Sequence, residues 1–500
     1  MSTSQATESA RGREGEGARD SRLARVAAAS LLLLVLGSGL VWFFRAHPLP
    51  RFAVTFVAPD TERVFSTISP YGRGLERDLA ERFCARYGLA VRWLKVRTPE
   101  EAWQALLEGR AQVMVASGWP ADMAGEEAAG EEAAKRRVRA GPAYESHHPL
   151  LLSHQRRPLD LLRPDVCNNA VTLPPAPQLV ASLKAHGWER DCRTAYELLP
   201  SMSLKQVLAE ENEQSTRPYL LADPSNYRLL APLFPRIRTA ATLEQPVERR
   251  WFWRTDVHML DKRMRAFFRR IRLSGTLADL QERYTGFLPA EETAGQVAHL
   301  RRVLRLRLPE YREAILRAAR RWDLDPLLLV AVIYQESAFD PEAVSHTGVQ
   351  GLMQLTRETA ERFGVADRTD PYQSIHHGAR YLKRIWLRLE PLGLTHWNHW
   401  FLTLASYNQG IGHLFDAMLL ARRQGQDPRS WRNVKNALLL LEKRDYWKDA
   451  AYGYTRGSEG VEYVNRVRLW YYVLKGWTSF PGLELKELAP LRLALPAFGG

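Results

Sequence analysis

The chain has 500 residues, too many for one hydrophobic core, so two or three domains are expected. With 45% hydrophobic and 25% charged residues it has the composition of a folded protein and not of a disordered or collagen-like one. Its formal charge of +14 suits a polyanionic surface such as cell-wall polymer or anionic lipid; the arginines are scattered and no helix-turn-helix, zinc-finger or RNP pattern occurs, so nucleic acid is set aside as a partner.

Residues 1–25 are polar and rich in arginine (Arg11, Arg13, Arg19, Arg22, Arg25) and read as a disordered basic tail. Val26 to Phe44 is an uncharged apolar run of about the twenty residues that cross a bilayer. Arginines precede it, which keeps the amino end cytoplasmic and sends the rest to the periplasm as a membrane-associated protein. A cleaved signal peptide competes with this retained anchor. Gly37-Ser38-Gly39 offers small residues for cleavage, but bulky Trp42, Phe43 and Phe44 follow, and no lipid-acceptor cysteine is present. Pro48 to Arg51 is a short linker.

From Phe52 strands and helices alternate. Strands are expected at Phe52–Val57, Val91–Val96 and Gln112–Ala116, and helices at Gly74–Tyr87 and from a capping box at Thr98-Pro99-Glu100-Glu101 to Gly109. Such alternation predicts an α/β domain with a mainly parallel sheet. Ala124 to Ala134 holds GEEAA twice and reads as a solvated insertion. Further strands follow Gly141-Pro142-Ala143-Tyr144 and at Leu220–Asp223 and Trp251–Trp253. This order is similar to the family 3 solute-binding proteins over about Arg51 to Gly286. The resemblance implies a two-lobed α/β, periplasmic-binding-protein-like regulatory domain (residues 51–287) with an amino acid or peptide as effector. The arginine that holds the ligand carboxylate in that family would fall near Ala133, with Lys135, Arg136 and Arg137 close by. Cys84, Cys167 and Cys192 have no metal-ligand spacing; Cys167 and Cys192 could pair in an oxidising compartment, and unpaired buried thiols are the alternative.

Residues 287–300 read as a linker to a nearly all-helical domain, 300–477, followed by a tail, 478–500, without a motif. Helices are expected at Glu310–Trp322, Pro326–Ser337, Gln354–Phe363, Pro371–Leu389 and Trp400–Tyr407. In the second, Asp325 is the N-cap and Pro326 the first helical residue. Leu329, Val332, Ile333 and Glu336 share one face, so a carboxylate closes an apolar stripe. Desolvation and the helix C-terminus both disfavour its charge, which makes Glu336 a candidate general acid near neutral pH. A carboxylate merely facing water at a helix end is the alternative. Gly348 and Gly351 bracket a tight segment where backbone could approach a bulky ligand.

Four motifs then occur in order: Glu336-Ser337, Gly351-Leu352-Met353-Gln354, Tyr407-Asn408-Gln409-Gly410 and Tyr463-Val464. Together they resemble the soluble lytic transglycosylase domain with its lysozyme-like fold, over about Leu304 to Gly476. Gly453-Tyr454-Thr455-Arg456-Gly457 looks like the membrane-bound lytic murein transglycosylase F branch. The resemblance implies an enzyme acting on peptidoglycan without a cofactor. Glycosidic bonds are ordinarily broken by two carboxylates, and no clear second one is present: Asp340-Pro341 reads as helix-stop chemistry. The resemblance implies that Glu336 alone serves as acid and then base, leaving a 1,6-anhydromuramoyl end. It also implies that Ser345 hydrogen-bonds near the acetamido group, Met353 and Gln354 line the cleft, Tyr407 and Asn408 bind substrate or orient the acid, and Tyr463 holds Glu336. The alternatives for Ser345 and Tyr463 are a loop cap and a half-buried aromatic. His376, His377, His396 and His399 lack an HExxH pattern or a cysteine partner, so no metal site is assigned. Trp386, Trp397, Trp400 and Trp431 read mostly as core, with sugar-stacking faces among them as the alternative. A goose-type lysozyme-like hydrolase and a solute-binding sensor or glycan-binding scaffold remain as alternative functions.

Overall fold

The computed structural model describes residues 52–117, 137–154, 171–173, 197–198, 202–214, 217, 219–244, 246–289, 294–346 and 348–492. The tail, the Val26–Phe44 run, the linker at Pro48, the GEEAA insertion, Lys135, Arg136, Cys167 and Cys192 lie outside them. Among the described residues no helix is long and apolar enough to cross a membrane. Phe52, Ala53 and Gly88–Ala90 belong to one compact unit, in which Ala90 N donates to the Phe52 carbonyl (3.0 Å); the described residues Val54–Tyr87 and from Val91 onward form the other.

The first half builds two sheets. Strands β1 (Ala53–Pro59), β2 (Ala90–Val96), β3 (Val113–Ser117), β4 (Val138–Ala140), β5 (Glu145–His147) and β11 (Val247–Arg254) make the first, in the order β2-β1-β3-β11-β4 with β5 also on β11. β1 and β3 are parallel, with Phe56 opposite Val113. β11 returns from the far end of the domain and runs antiparallel to β3, with Trp251 opposite Val115. The second sheet is β10 (Arg238–Thr242), β6 (Leu150–Ser153), β9 (Tyr219–Ala222), β7 (Val171–Leu173) and β8 (Glu197–Leu198), in that order. β6 is antiparallel to both neighbours, whereas β7 is parallel to β8 and β9. The sheets are therefore mixed, not mainly parallel, because β11 crosses back to pair beside β3 and β6 runs against both its partners. Leu220–Asp223 is corrected likewise: Asp223 leaves the strand to cap the next helix, accepting from Ser225 N.

Helix α1 (Leu75–Arg86) and α2 (Pro99–Leu107) follow β1 and β2. Thr98 caps α2 through its hydroxyl, which accepts from Glu101 N (3.2 Å). The reciprocal arm of the expected box is displaced by one residue, since the Glu101 carboxylate accepts from Arg97 N (3.0 Å) and also pairs with the Arg97 guanidinium. α2 buries Trp103 and Leu106 against Val57, Met114 and Phe252. α3 (Leu204–Gln214) and α4 (Pro224–Leu230) flank β9, and α5 (Leu260–Leu273) and α6 (Thr276–Thr285) close the half. α5 buries Leu260, Met264, Phe267, Phe268 and Ile271, a face of helical period, and leaves its arginines outside.

Buried charges tie the two sheets. Arg63 reaches Glu76 (3.2 Å) and Glu145 (2.8 Å), while Arg249 on β11 reaches Asp223 (2.7 Å) beyond β9 and Glu145 (3.7 Å). Tyr144 Oη and Trp251 Nε1 donate to the second Glu76 oxygen at 2.7 and 2.9 Å. Every one of these carboxylates has a cation or a donor, as burial demands.

The second half is helical. α7 (Ala294–Trp322) starts inside the segment read as linker: its hydrophobic spacing Val297, Leu300, Val303, Leu304, Leu308 begins there, and Pro309 is carried within the helix. α8 (Pro326–Ser337) is capped by Asp325, which accepts from Leu327 N (2.7 Å) and Leu328 N (3.4 Å). α9 is Arg357–Phe363; it starts later than expected because Thr356, not Gln354, supplies the cap, accepting from Thr359 N at 3.1 Å. α10 (Pro371–Leu389) has its expected bounds, α11 is His396–Gln409, α12 Ile411–Arg423, α13 Trp431–Leu440, α14 Arg444–Trp447, α15 Gly457–Ser479 and α16 Ala489–Arg492. His399 is a core residue, stacked on Trp386 and bonded to its carbonyl (2.8 Å).

α15 is shared by both halves. Arg468, 1% exposed, pairs with Glu282 (3.0 Å) and donates to the carbonyls of Glu282 (2.7 Å) and Arg283 (3.0 Å). Its guanidinium lies over the rings of Phe401, Phe287 and Tyr71. Tyr71 Oη donates to the Arg468 carbonyl (2.7 Å), and Tyr472 Oη to that of Leu229 (2.8 Å).

Candidate active site

α8 is not an amphipathic helix with one apolar stripe. Leu327 through Tyr334 are buried on every side, as in a helix threaded through a core. Glu336, the last residue but one of the helix, is half-buried. The helix then stops abruptly: Ala338 and Phe339 take left-handed backbone (φ 49° and 62°), and Ala338 N closes on the Tyr334 carbonyl at 2.9 Å. Non-glycine residues hold that conformation only where surroundings enforce it. Phe339, fully buried, and Arg307 Nη1, which donates to the Ala338 carbonyl (3.0 Å), do so here.

Tyr463 comes to this acid from α15, donating its hydroxyl to Glu336 Oε1 at 2.6 Å. Burial pushes the Glu336 carboxyl up to about 7, and the Tyr463 bond acts the other way. The length is that of a hydrogen bond to a charged oxygen. The phenols of Tyr463 and Tyr407 are themselves raised well above their usual range, by burial first and then by Glu336, so both stay protonated donors.

The loop after α8 is braced from within. Ser345 Oγ accepts from Val349 N (3.3 Å) and its carbonyl from Gly348 N (2.9 Å), so the side chain closes a turn. Gly351 has φ 81°, and a Cβ there would sit 1.9 Å from the Arg368 carbonyl oxygen. The close approach is thus to the protein's own backbone, not to a ligand as its position in the sequence suggested. Gln354, at φ 47°, folds its amide back to the carbonyls of Ala343 and Gly351, both at 2.9 Å. Met353 is fully buried; its N–H donates to Ser374 Oγ (3.1 Å) and its carbonyl accepts from Tyr407 Oη (2.8 Å). Asn408 is exposed at the end of α11, with the Gln409 amide 2.6 Å away.

The structure therefore joins Glu336 directly to Tyr463, and Met353 directly to Tyr407. It places Ser345 and Gln354 as loop braces and Asn408 at the rim. Sequence reasoning missed three residues. Ser337 Oγ donates to the Leu352 carbonyl (3.0 Å) and so pins the loop to α8; its place beside Glu336 in the first motif was the available signal. Ser374 and Arg368 carried none, because their partners are set by the tertiary fold; Arg368 Nη1 donates to the carbonyls of Gly348 (3.0 Å) and Leu355 (3.1 Å).

A helical unit presenting one acid, its carboxyl raised to about 7 by burial and gripped by a tyrosine from a distant helix, fits the class of the Transglycosylase SLT domain, whose family model matches residues 313–429. Tyr463 lies beyond the matched segment. The chain is similar along most of its length to membrane-bound lytic murein transglycosylase F 1 of Alkalilimnicola ehrlichii (33% identity, 91% of this chain and 92% of that protein). It is also similar to membrane-bound lytic murein transglycosylase F of Shewanella halifaxensis (31% identity, 85% and 86%). The chain belongs to the membrane-bound lytic murein transglycosylase F family. Among solved structures, a Salmonella typhimurium periplasmic binding protein with high arginine specificity superposes with a TM-score of 0.37 at 11% identity, over 47% of this chain and 99% of that one.

Proposed function

We propose that the chain is a peptidoglycan lytic transglycosylase in which Glu336 acts first as acid and then as base. Glu336 gives its proton to the oxygen linking N-acetylmuramic acid to N-acetylglucosamine, and the C1–oxygen bond breaks with its electron pair leaving on that oxygen. The muramoyl N-acetyl group stabilises the cation at C1. Glu336, now a carboxylate, takes the proton of the C6 hydroxyl as O6 bonds to C1. The product is a 1,6-anhydromuramoyl end, and no water is consumed. The observation that carries this reading is the pairing of a carboxyl near neutrality with Tyr463 Oη at 2.6 Å. A tyrosine hydroxyl donates equally well to the carboxylate formed midway and keeps it aimed.

Met353 and Tyr407 shape the wall behind the acid, Ser345 and Gln354 hold the loop that faces the acetamido group, and Asn408 meets sugar at the rim. The helical domain spans 300–477 and the sheet domain 51–287, the latter taking an amino acid or peptide as effector. The whole works in the periplasm, attached to membrane through residues 26–44.

Digestion of purified sacculi, with products weighed by mass spectrometry, tests the reading. Anhydro-ended fragments are expected, and Glu336→Gln should cut at least about a hundredfold more slowly. Reducing ends would indicate a hydrolase, and a parent protein that never cuts would indicate a glycan-gripping scaffold.

A further inference from the structure

The segment from Ala451, after α14, to Ser458, in the first turn of α15, is fastened at three points and presents alternate side chains outward. The Asp416 carboxylate accepts from Ala451 N (3.1 Å) and Tyr452 N (2.8 Å), Thr455 Oγ1 meets the Gln409 amide (2.5 Å), and Glu442 accepts from Ser458 N (2.6 Å). Thr455 is 4% exposed, whereas Tyr452 and Tyr454 are 63% and 52% exposed and the Arg456 side chain 52%. Tyr452 lays one side of its ring on Gly412 and lies 6.1 Å from His413, whereas Tyr454 meets only the edge of Trp447 at 6.4 Å and keeps half its surface in water; an open aromatic face with a polar edge suits a saccharide ring.

Arg456 touches two elements that build the reaction centre. It caps α15 seven residues before Tyr463, a spacing that returns to the same helix face about 10 Å along the axis. Its Nη1 is 3.4 Å from His346 Nε2, on the loop that carries Ser345, and 3.1 Å from Glu459. The guanidinium therefore spans from the helix that grips Glu336 to the loop that follows Glu336 in the chain. The contact to His346 is long, and Glu459 is 60% exposed, so a carboxylate can compete for this cation's remaining donors in bidentate fashion.

We infer that Tyr454 and Arg456 form a substrate subsite beside Glu336, the tyrosine stacking on a sugar and the arginine pairing with a carboxylate on the peptide arm of a neighbouring muramoyl residue. This rests on murein being the substrate. It goes further in making the enzyme read the charged arm as well as the glycan.

The test uses the full chain carrying Glu336→Gln, so that ligands survive, and two probes: a murein tetrasaccharide with its peptide arms and the uncharged N-acetylglucosamine tetramer. By calorimetry, adding Arg456→Ala should weaken the peptide-bearing probe roughly tenfold or more and leave the tetramer within about twofold. Arg456→Lys should recover part of the loss, and Tyr454→Ala should weaken both probes. Equal loss on both probes with Arg456→Ala, or no loss on either, overturns the subsite. Failure of the parent to release anhydro-ended fragments from sacculi would instead sink the substrate reading, and the two failures are separable because one is read by binding and the other by product mass.

Discussion

Glu336 and Glu145 are both carboxyl groups withdrawn from water, and their surroundings send them in opposite directions. At Glu145 burial pulls upward but is outweighed by Arg63, His147 and Arg249, which hold the group well below the usual carboxylate range. At Glu336 burial acts with only a phenol against it, and the group rises to about 7. Burial alone therefore does not make an acid; burial without a cation does. The first carboxylate is a permanent charge that holds Arg63 and Arg249 together on the first sheet, and the second is a carboxyl that can still carry a proton near neutral pH.

The contrast can be broken most severely at the cations. Arg63→Ala leaves Glu76 and Glu145 without their nearest charge and should cost about 3–5 kcal/mol of stability, read by urea unfolding at neutral pH. Glu336→Gln should do the reverse. The folded protein binds a proton at Glu336 up to about pH 7, whereas the unfolded chain releases it near its ordinary value of 4.5, so this group's contribution is complete at low pH and lost as pH rises through that window. The variant should accordingly be more stable than the parent at pH 8, by up to about 3 kcal/mol, and equal to it at pH 4. Glu145 has the opposite sign: its contribution is present at neutral pH and lost as acid overtakes its lowered value. The smallest expected effect is at the phenol. Tyr463→Phe removes the donor that favours the Glu336 carboxylate, so the alkaline limb of the pH–rate profile should move upward while turnover falls about tenfold. An unmoved limb would show that Tyr463 only packs.

Legibility in the sequence followed the range of the interaction. α10 begins at Pro371 as expected because its start is set locally, by Asp370 accepting from Tyr372 N and Gln373 N. Glu336 and Tyr463 are far apart in the chain; the family resemblance implied their pairing, and the structure brings them to 2.6 Å. Gln354 was placed in a helix because its apolar neighbours Leu352, Met353 and Leu355 mimic helical spacing; its left-handed backbone is imposed by Arg368 and Ala343, which no local pattern announces. The linker at 287–300 hid the first turns of α7 for a different reason: a glycine and two glutamates masked a periodicity that starts at Val297. The Arg63–Glu145–Arg249–Asp223 set was invisible because its members fall on four separate segments, and only the antiparallel return of β11 gathers them.

Arg468 has a practical corollary for anyone who would trim the gene. A fragment beginning at Ala294 would keep Glu336 and Tyr463 but would lose Glu282, Phe287 and the Tyr71 hydroxyl, stranding a cation in an opened aromatic cage about 7.5 Å along the same helix from Tyr463. The catalytic piece would then carry its own wound, and poor yield from such truncations would say nothing about whether the intact enzyme works.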